Sequence, residues 1–256
     1  MSVSIVIPAY NEERRLPATL AAVVEYYESR GETYEVLVVN DGSTDGTASV
    51  VEDYRRNHPH ACVLLVEYGS NRGKGFAVRY GMLQATGELR LFCDADLATP
   101  IEEYEVVLAA MTADGSEIGI GSRPLKASNL IVHQPWYREM AGRGFNKIVQ
   151  MLAVPGISDT QCGFKIFTAA ATQDVFSRCL IDAFAFDSEA LFIARRLGYD
   201  ISEVPIRWSH KDGSKVSMIR DGTRMIMDLS RIRWMHRRLK KQSKLTRSSS
   251  ALNPKA

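Results

Sequence analysis

An α/β fold with a mainly parallel sheet is what this 256-residue sequence predicts. Short continuous apolar runs alternate with helix-periodic stretches through the first half of the chain. Acidic and amide residues collect just after those runs. Hydrophobic residues make up 45% of the chain and charged residues 24%, the composition of a globular domain rather than a disordered or fibrous one. Runs that are apolar at every position, instead of at alternate positions, read as strands covered on both faces.

Val3–Ile7 is the first such strand. Leu16, Leu20, Val23, Val24 and Tyr27 then recur at helical steps on one face. Glu35–Val39, a helix over Thr47–Tyr54, Cys62–Val66, a helix over Lys74–Gln84 and Leu89–Cys93 continue the series. A further helix follows Pro100, where Thr99-Pro100-Ile101-Glu102 reads as a capping box, and Ile118–Ile120 is a short strand. Past Gly121 the alternation loosens into a helix over Tyr137–Leu152, a strand at Phe164–Phe167, a helix over Ser188–Arg196, a strand at Ile201–Pro205 and a last helix over Thr223–Lys241. One domain is expected over residues 1–235, its halves at 1–122 and 123–220, with an amphipathic helix at 221–241 and a disordered Ser-rich tail at 242–256.

Charge is unevenly distributed. Of the 32 Lys and Arg residues, nine lie beyond residue 230 with no acid among them, which leaves 23 against all 30 acids, a net −7 for the rest. A basic end on an acidic body predicts an anionic partner for that end. Met225, Leu229, Ile232, Met235 and Leu239 form an apolar stripe flanked by Trp234 and basic residues, the composition of a helix lying on an anionic membrane surface. No motif of a nucleic-acid-binding fold accompanies the basic tail, so no nucleic acid is expected. Cys62, Cys93, Cys162 and Cys179 make no C-x-x-C pair, and neither a basic leader nor an apolar run of membrane-spanning length is visible. The expected location is cytoplasmic, peripherally associated with a membrane.

The strand ends carry the chemistry, because ligands of such sheets bind beyond the carboxyl edge. Leu89–Cys93 runs into Asp94-Ala95-Asp96, whose two carboxylates project to one side of an extended chain and suit Mg²⁺ or Mn²⁺. The first strand ends in Pro8-Ala9-Tyr10-Asn11-Glu12 and the second in Asn40-Asp41-Gly42-Ser43-Thr44-Asp45. Asp41 is a candidate acceptor for a nucleobase N–H and Tyr10 a candidate packing surface for the base. Asp45 reads as a helix N-cap, and so does Asp187. Gly69-Ser70-Asn71-Arg72-Gly73-Lys74-Gly75 fails the P-loop spacing, and no G-x-G-x-x-G follows the first strand, which excludes those nucleotide-binding classes. Lys74, near a helix start, remains a candidate contact to a nucleotide.

In this order, IVIPAYNEE, VVNDGSTDGT, NRGKGFAVRYGM, CDADLATP, DTQCGFKIF and FDSEALFIA resemble family 2 glycosyltransferases of the GT-A fold, most closely the dolichyl- and polyprenyl-phosphate branch. The resemblance spans about residues 3–235. It implies a Rossmann-like nucleotide-sugar half, an acceptor half, a UDP-sugar donor, and a polyprenyl or dolichyl phosphate acceptor. It further implies that Pro8, Tyr10, Glu12, Asp41 and Lys74 hold the nucleotide, with Asp94 and Asp96 carrying a Mg²⁺ or Mn²⁺ ion at the diphosphate. By the same resemblance Arg123 and Arg138 hold the acceptor phosphate, Asp159 matches a proposed base, and Lys215 closes over the diphosphate. Ala98 stands where mannosyl-phosphate synthases have Gln, which favours a glucosyl donor. Two other readings stay open: transfer to a hydroxyl acceptor, with Asp159 as base, and a non-catalytic nucleotide-sugar-binding domain.

Overall fold

The structure, a computed structural model, describes residues 1–125, 129–132, 154–209, 220–239 and 241, with backbone alone for 129–132 and 220–226. The elements in chain order begin β1 (Val3–Ala9), α1 (Leu16–Arg30), β2 (Tyr34–Asn40), α2 (Thr47–Asn57), β3 (Val63–Glu67), α3 (Lys74–Gln84), β4 (Leu89–Cys93), α4 (Glu103–Asp114) and β5 (Ile118–Ser122). They continue with β6 (Asn129–Val132), β7 (Phe164–Thr168), α5 (Ala169–Phe176), α6 (Phe186–Arg196), β8 (Ile201–Pro205), β9 (Arg207–Ser209) and α7 (Arg220–Met235).

Seven strands make one sheet in the order β3-β2-β1-β4-β7-β5-β8, and β6 pairs with β9 in a small second sheet. All neighbours in the large sheet are parallel except β7, which runs antiparallel to both β4 and β5. Both faces of the sheet are covered, which is why its strands are apolar at consecutive positions. Ile5 and Ile7 pack toward α1 and α4, while Val6 and Phe92 pack toward α3, α5, α6 and α7. The stripe of α1 is wholly buried, and Gly31, in the left-handed conformation at φ 62°, ends that helix.

The structure departs from the sequence reading at several elements. α4 starts at Glu103 without a side-chain cap, because the backbone first makes tight turns from Glu103 N to Pro100 O and from Tyr104 N to Ile101 O. The capping box at Thr99 therefore does not form. The helix α5 and the β6/β9 pair were not anticipated. α7 ends at Met235 instead of Lys241, and three-residue turns follow while His236 is drawn into the body against Glu189.

The C-terminal stripe is also corrected. Leu229 and Ile232 are fully buried, and Met235 and Leu239 pack against the same core, so these four residues of the stripe face the protein and not a membrane, while the Met225 side chain lies outside the described residues. The outward face of α7 instead carries Met227 and Trp234, 59% and 63% exposed, beside exposed Arg231, Arg233, Arg237 and Arg238. The helix anticipated at Tyr137–Leu152 and the tail at 242–256 lie outside the described residues. Among the described residues no helix is long and apolar enough to cross a membrane.

Candidate active site

The carboxyl ends of β2, β1 and β4 lie side by side, and the two loops that follow β1 and β2 clasp each other. Asn11 N–H donates to Ser43 Oγ at 2.9 Å, Glu12 N–H to Thr47 Oγ1 at 2.8 Å, and Thr44 N–H to Asn11 Oδ1 at 2.8 Å. Asn11 takes a left-handed φ of 54° to make this turn, a conformation that Asn tolerates. Pro8 is half-buried at the end of β1 and Tyr10 is exposed at the rim. The carboxylate of Glu12 pairs with Arg15 at 3.3 Å. Asp45 accepts the Thr47 N–H at 3.0 Å from one residue before the cap position, so it serves the start of α2 as an Asx turn.

Asp41 is buried and already saturated. Its Oδ1 accepts the Tyr68 hydroxyl at 2.9 Å and Arg72 N–H at 2.6 Å, and its Oδ2 accepts Gly73 N–H at 2.9 Å and Asn71 Nδ2 at 3.1 Å. A carboxylate has about four lone-pair sites, so a nucleobase N–H must displace one of these donors. Asp41 thus shapes the loop before α3. Gly73, at φ 103°, brings that loop against Asp182 O, which a β-carbon would approach to 2.6 Å.

That loop delivers Lys74, the first residue of α3, to the acidic pair: Lys74 Nζ lies 2.6 Å from Asp94 Oδ1. Burial alone would lower the Lys74 ammonium, but Asp94, aided by Asp187 and Asp96, raises it. Asp96 Oδ1 accepts Ala98 N–H at 3.0 Å, and Leu97 is held at a left-handed φ of 43°. Burial, and after it the Asp94 charge, pushes the Asp96 carboxyl above its ordinary value, a cost that a bound cation would relieve. Neither acid reaches the start of α4, so neither caps it. Among the described residues no cluster of three or more His, Cys, Asp or Glu forms a closed metal cage. Two carboxylates at an open edge fit a hard divalent ion whose other ligands are water and phosphate oxygens.

A second group lies at the ends of β5 and β8. Asp159 is fully buried and gripped by Arg123, with Nε at 2.6 Å from Oδ2, Nη2 at 2.9 Å from Oδ1, and the Arg123 N–H at 3.1 Å. Burial would raise the Asp159 carboxyl, but the charge and hydrogen bonds of Arg123 outweigh it and hold it below the ordinary range. The bidentate grip leaves the Nη1 edge of Arg123 outside the pair, and its guanidinium lies 5.6 Å from the Trp208 ring. The Asp94 charge contributes to raising Arg123, so the two groups share one electrostatic neighbourhood. Glu203 on β8 accepts the Asp159 N–H at 2.8 Å and fixes this turn.

The structure therefore assembles Pro8, Tyr10, Glu12, Asp41, Lys74, Asp94, Asp96, Arg123 and Asp159 along one edge of the sheet. Arg138 and Lys215 lie outside the described residues. Sequence reasoning missed Glu203 and Tyr68, because nothing local marks a strand glutamate or a tyrosine as a loop anchor. Asp187, read as a helix cap, is in fact paired with Lys165 at 2.5 Å inside the core. A sheet lysine in an otherwise apolar strand was the available signal for that pair.

Comparison with known proteins shows the family and the fold. The family description "Glycosyl transferase family 2" matches residues 4–176. The dolichyl-phosphate beta-glucosyltransferase of Drosophila melanogaster is 40% identical over 239 residues, covering 90% of this chain and 73% of that protein. The human protein of the same name is 36% identical, with 90% and 74% covered. Mannosyl-3-phosphoglycerate synthase from Rubrobacter xylanophilus superposes with a TM-score of 0.65 at 19% identity, covering 93% of this chain and 74% of that one. Glucosyl-3-phosphoglycerate synthase from Mycobacterium tuberculosis, solved with Mn²⁺, UDP and glucosyl-3-phosphoglycerate, gives 0.63 at 17% identity, covering 95% and 81%. With a mostly parallel sheet covered on both faces and an acidic pair at its carboxyl edge, the chain has the GT-A fold and belongs to glycosyl transferase family 2.

Proposed function

We propose that this enzyme transfers glucose from UDP-glucose to a dolichyl or other polyprenyl phosphate with inversion at the anomeric carbon. The observation that carries the acceptor class is the Arg123–Asp159 pair. A hydroxyl acceptor needs a base, and Asp159 is buried, saturated and held ionised by Arg123. A phosphate acceptor is already ionised at neutral pH and needs a positioned cation, which Arg123 supplies from its Nη1 edge.

The residues divide the work along the sheet edge. The loop that Asp41 holds, with Pro8, Tyr10 and Glu12, forms the nucleoside wall. Asp94 and Asp96 would hold Mg²⁺ or Mn²⁺, which would neutralise charge building on the departing diphosphate. Lys74 sits on Asp94 and would turn to the diphosphate oxygens when a divalent ion takes that carboxylate. Arg138 and Lys215 remain, by resemblance, an acceptor-phosphate contact and a closing cation. The reading is tested by incubating the purified chain with UDP-glucose, UDP-GlcNAc and GDP-mannose, each against dolichyl phosphate and a neutral lipid alcohol. Label should pass from UDP-glucose to the lipid phosphate alone. Efficient transfer to the alcohol would overturn the acceptor assignment.

A lipid phosphate keeps its chain in the bilayer, so the enzyme must work at a membrane surface. The outward face of α7 suits that contact: Met227 and Trp234 are apolar anchors, Arg237 lies 4.7 Å from the Trp234 ring centroid, and further arginines flank them. Deleting residues 231–256 would remove the buried Ile232 and His236, so surface substitution is the cleaner probe. The Met227→Ser/Trp234→Ser variant should sediment at least about ten-fold less with phosphatidylserine-containing vesicles, by the loss of two exposed apolar side chains that would leave water at the membrane, and keep its UDP affinity. Unchanged sedimentation would remove this face from the membrane contact.

A further inference from the structure

Lys165 is 1% exposed in the middle of the sheet, where its strand pairs with Phe92 on β4 and Ile120 on β5. Its ammonium donates to Asp187 Oδ1 and to Cys162 O, each at 2.5 Å, and lies 5.0 Å from the Phe92 ring centroid. Asp187, in the first turn of α6, is 4% exposed. A buried ion pair is poor evidence of stabilisation, because apolar residues of similar volume would fill such a place at least as well. Its placement beneath the acidic edge points to another role.

Two contacts connect the pair to Asp94. The carbonyl that Lys165 holds belongs to the Cys162–Gly163 peptide, and Gly163 O accepts the Asp94 N–H at 3.2 Å. Gly163 also walls the Asp94 carboxylate so closely that a β-carbon there would lie 2.1 Å from Asp94 Oδ2. The Lys165–Asp187 pair in the core is thus connected to the open edge through the Cys162–Gly163 peptide.

We propose that Lys165 and Asp187 are positioning residues: Lys165 fixes the Cys162–Gly163 peptide as the wall that aims the Asp94 carboxylate, and Asp187 neutralises Lys165 and holds its ammonium in place. This rests on the reading of Asp94 as a metal ligand. Neither residue touches substrate. Both act through Asp94, as outer partners of metal ligands do, and losing such partners costs about 10–100-fold in metal affinity or activity.

The test is titration calorimetry of UDP in Mn²⁺ and in EDTA, with thermal melts of each variant. Lys165→Met/Asp187→Leu replaces the pair by apolar groups that a core accepts, and Asp187→Asn, which keeps the shape and an acceptor oxygen for Lys165 at the cost of a lower Tm, serves should the double variant fail to fold. Either should melt cooperatively, bind UDP about ten-fold or more weakly in Mn²⁺, and match the wild type in EDTA. Lys165→Arg, which keeps the charge and the donors, should recover part of the Mn²⁺-dependent affinity. A folded variant that binds UDP in Mn²⁺ as the wild type does would overturn the proposal and leave the pair a core feature. Asp94→Asn in the same titration separates the two readings, because Mn²⁺-dependent UDP binding that survives it removes Asp94 as the ligand, whatever the pair does.

Discussion

Asp94→Asn and Asp96→Asn should each lower kcat/KM with UDP-glucose by roughly 10²–10³-fold, the scale on which loss of one electrostatic stabiliser acts. Each substitution removes one of two carboxylates at an open strand end, and a hard divalent ion has few protein ligands to lose there. The two variants should differ in a diagnostic way. Asp94 neutralises Lys74 at 2.6 Å, so its loss also leaves that ammonium without its ion-pair partner, whereas Asp96 carries a burial cost that Asn relieves. Asp96→Asn should therefore melt at or above the wild-type temperature, and Asp94→Asn below it. Steady-state rates across a Mn²⁺ titration, together with melts, check both. Near-normal turnover by both variants would remove the acidic pair from the chemistry.

Arg123→Ala should be costly in stability as well as in rate, because it strands a fully buried carboxylate. Breaking one side of a buried pair costs about 3–5 kcal/mol, and the lower end applies since Arg123 is 30% exposed. For a chain of this size that is roughly 6–12 °C in Tm at neutral pH. The pH dependence follows from the direction of the shift. In the intact protein Asp159 lies below its unfolded value of about 3.9, so the pair stabilises above that pH and is lost as pH falls through the folded value. In Arg123→Ala the guanidinium is lost while burial remains, opposed only by the backbone N–H groups of residues 123 and 161 and the Lys165 charge, so Asp159 rises from its value in the intact protein and the penalty, full at pH 7, shrinks as protonation neutralises the carboxyl. The Tm gap between variant and wild type should narrow steadily from pH 7 to about pH 4. In activity, Arg123→Ala should raise the acceptor KM or lower kcat with UDP affinity little changed, and Asp159→Asn should be milder than loss of Asp94. Complete inactivity of Asp159→Asn with UDP and Mn²⁺ still bound would favour a hydroxyl acceptor.

The sequence by itself determined the order of the first nine elements and the burial of the α1 stripe. It also determined the address of the acidic pair, because strand and helix periodicities are local and a parallel sheet sends its strand ends to one edge. It determined the family as well, through six motifs in order. Only the tertiary structure decided where side chains with several partners to choose from would go. Asp187 stays in the first turn of α6 but gives its carboxylate to Lys165 instead of capping, since the two roles look alike along the chain. Asp41 became the organiser of the loop at residues 70–73 because that loop folds over it from thirty residues away. Leu229 and Ile232 chose the protein core over a membrane, as an amphipathic stripe records a preference for leaving water and not the surface that receives it. Arg123 and Asp159, 36 residues apart, met as a bidentate pair that no spacing encodes. Long-range pairings of this kind depend on which loops the packed sheet brings together, and that contact exists only once the chain has folded.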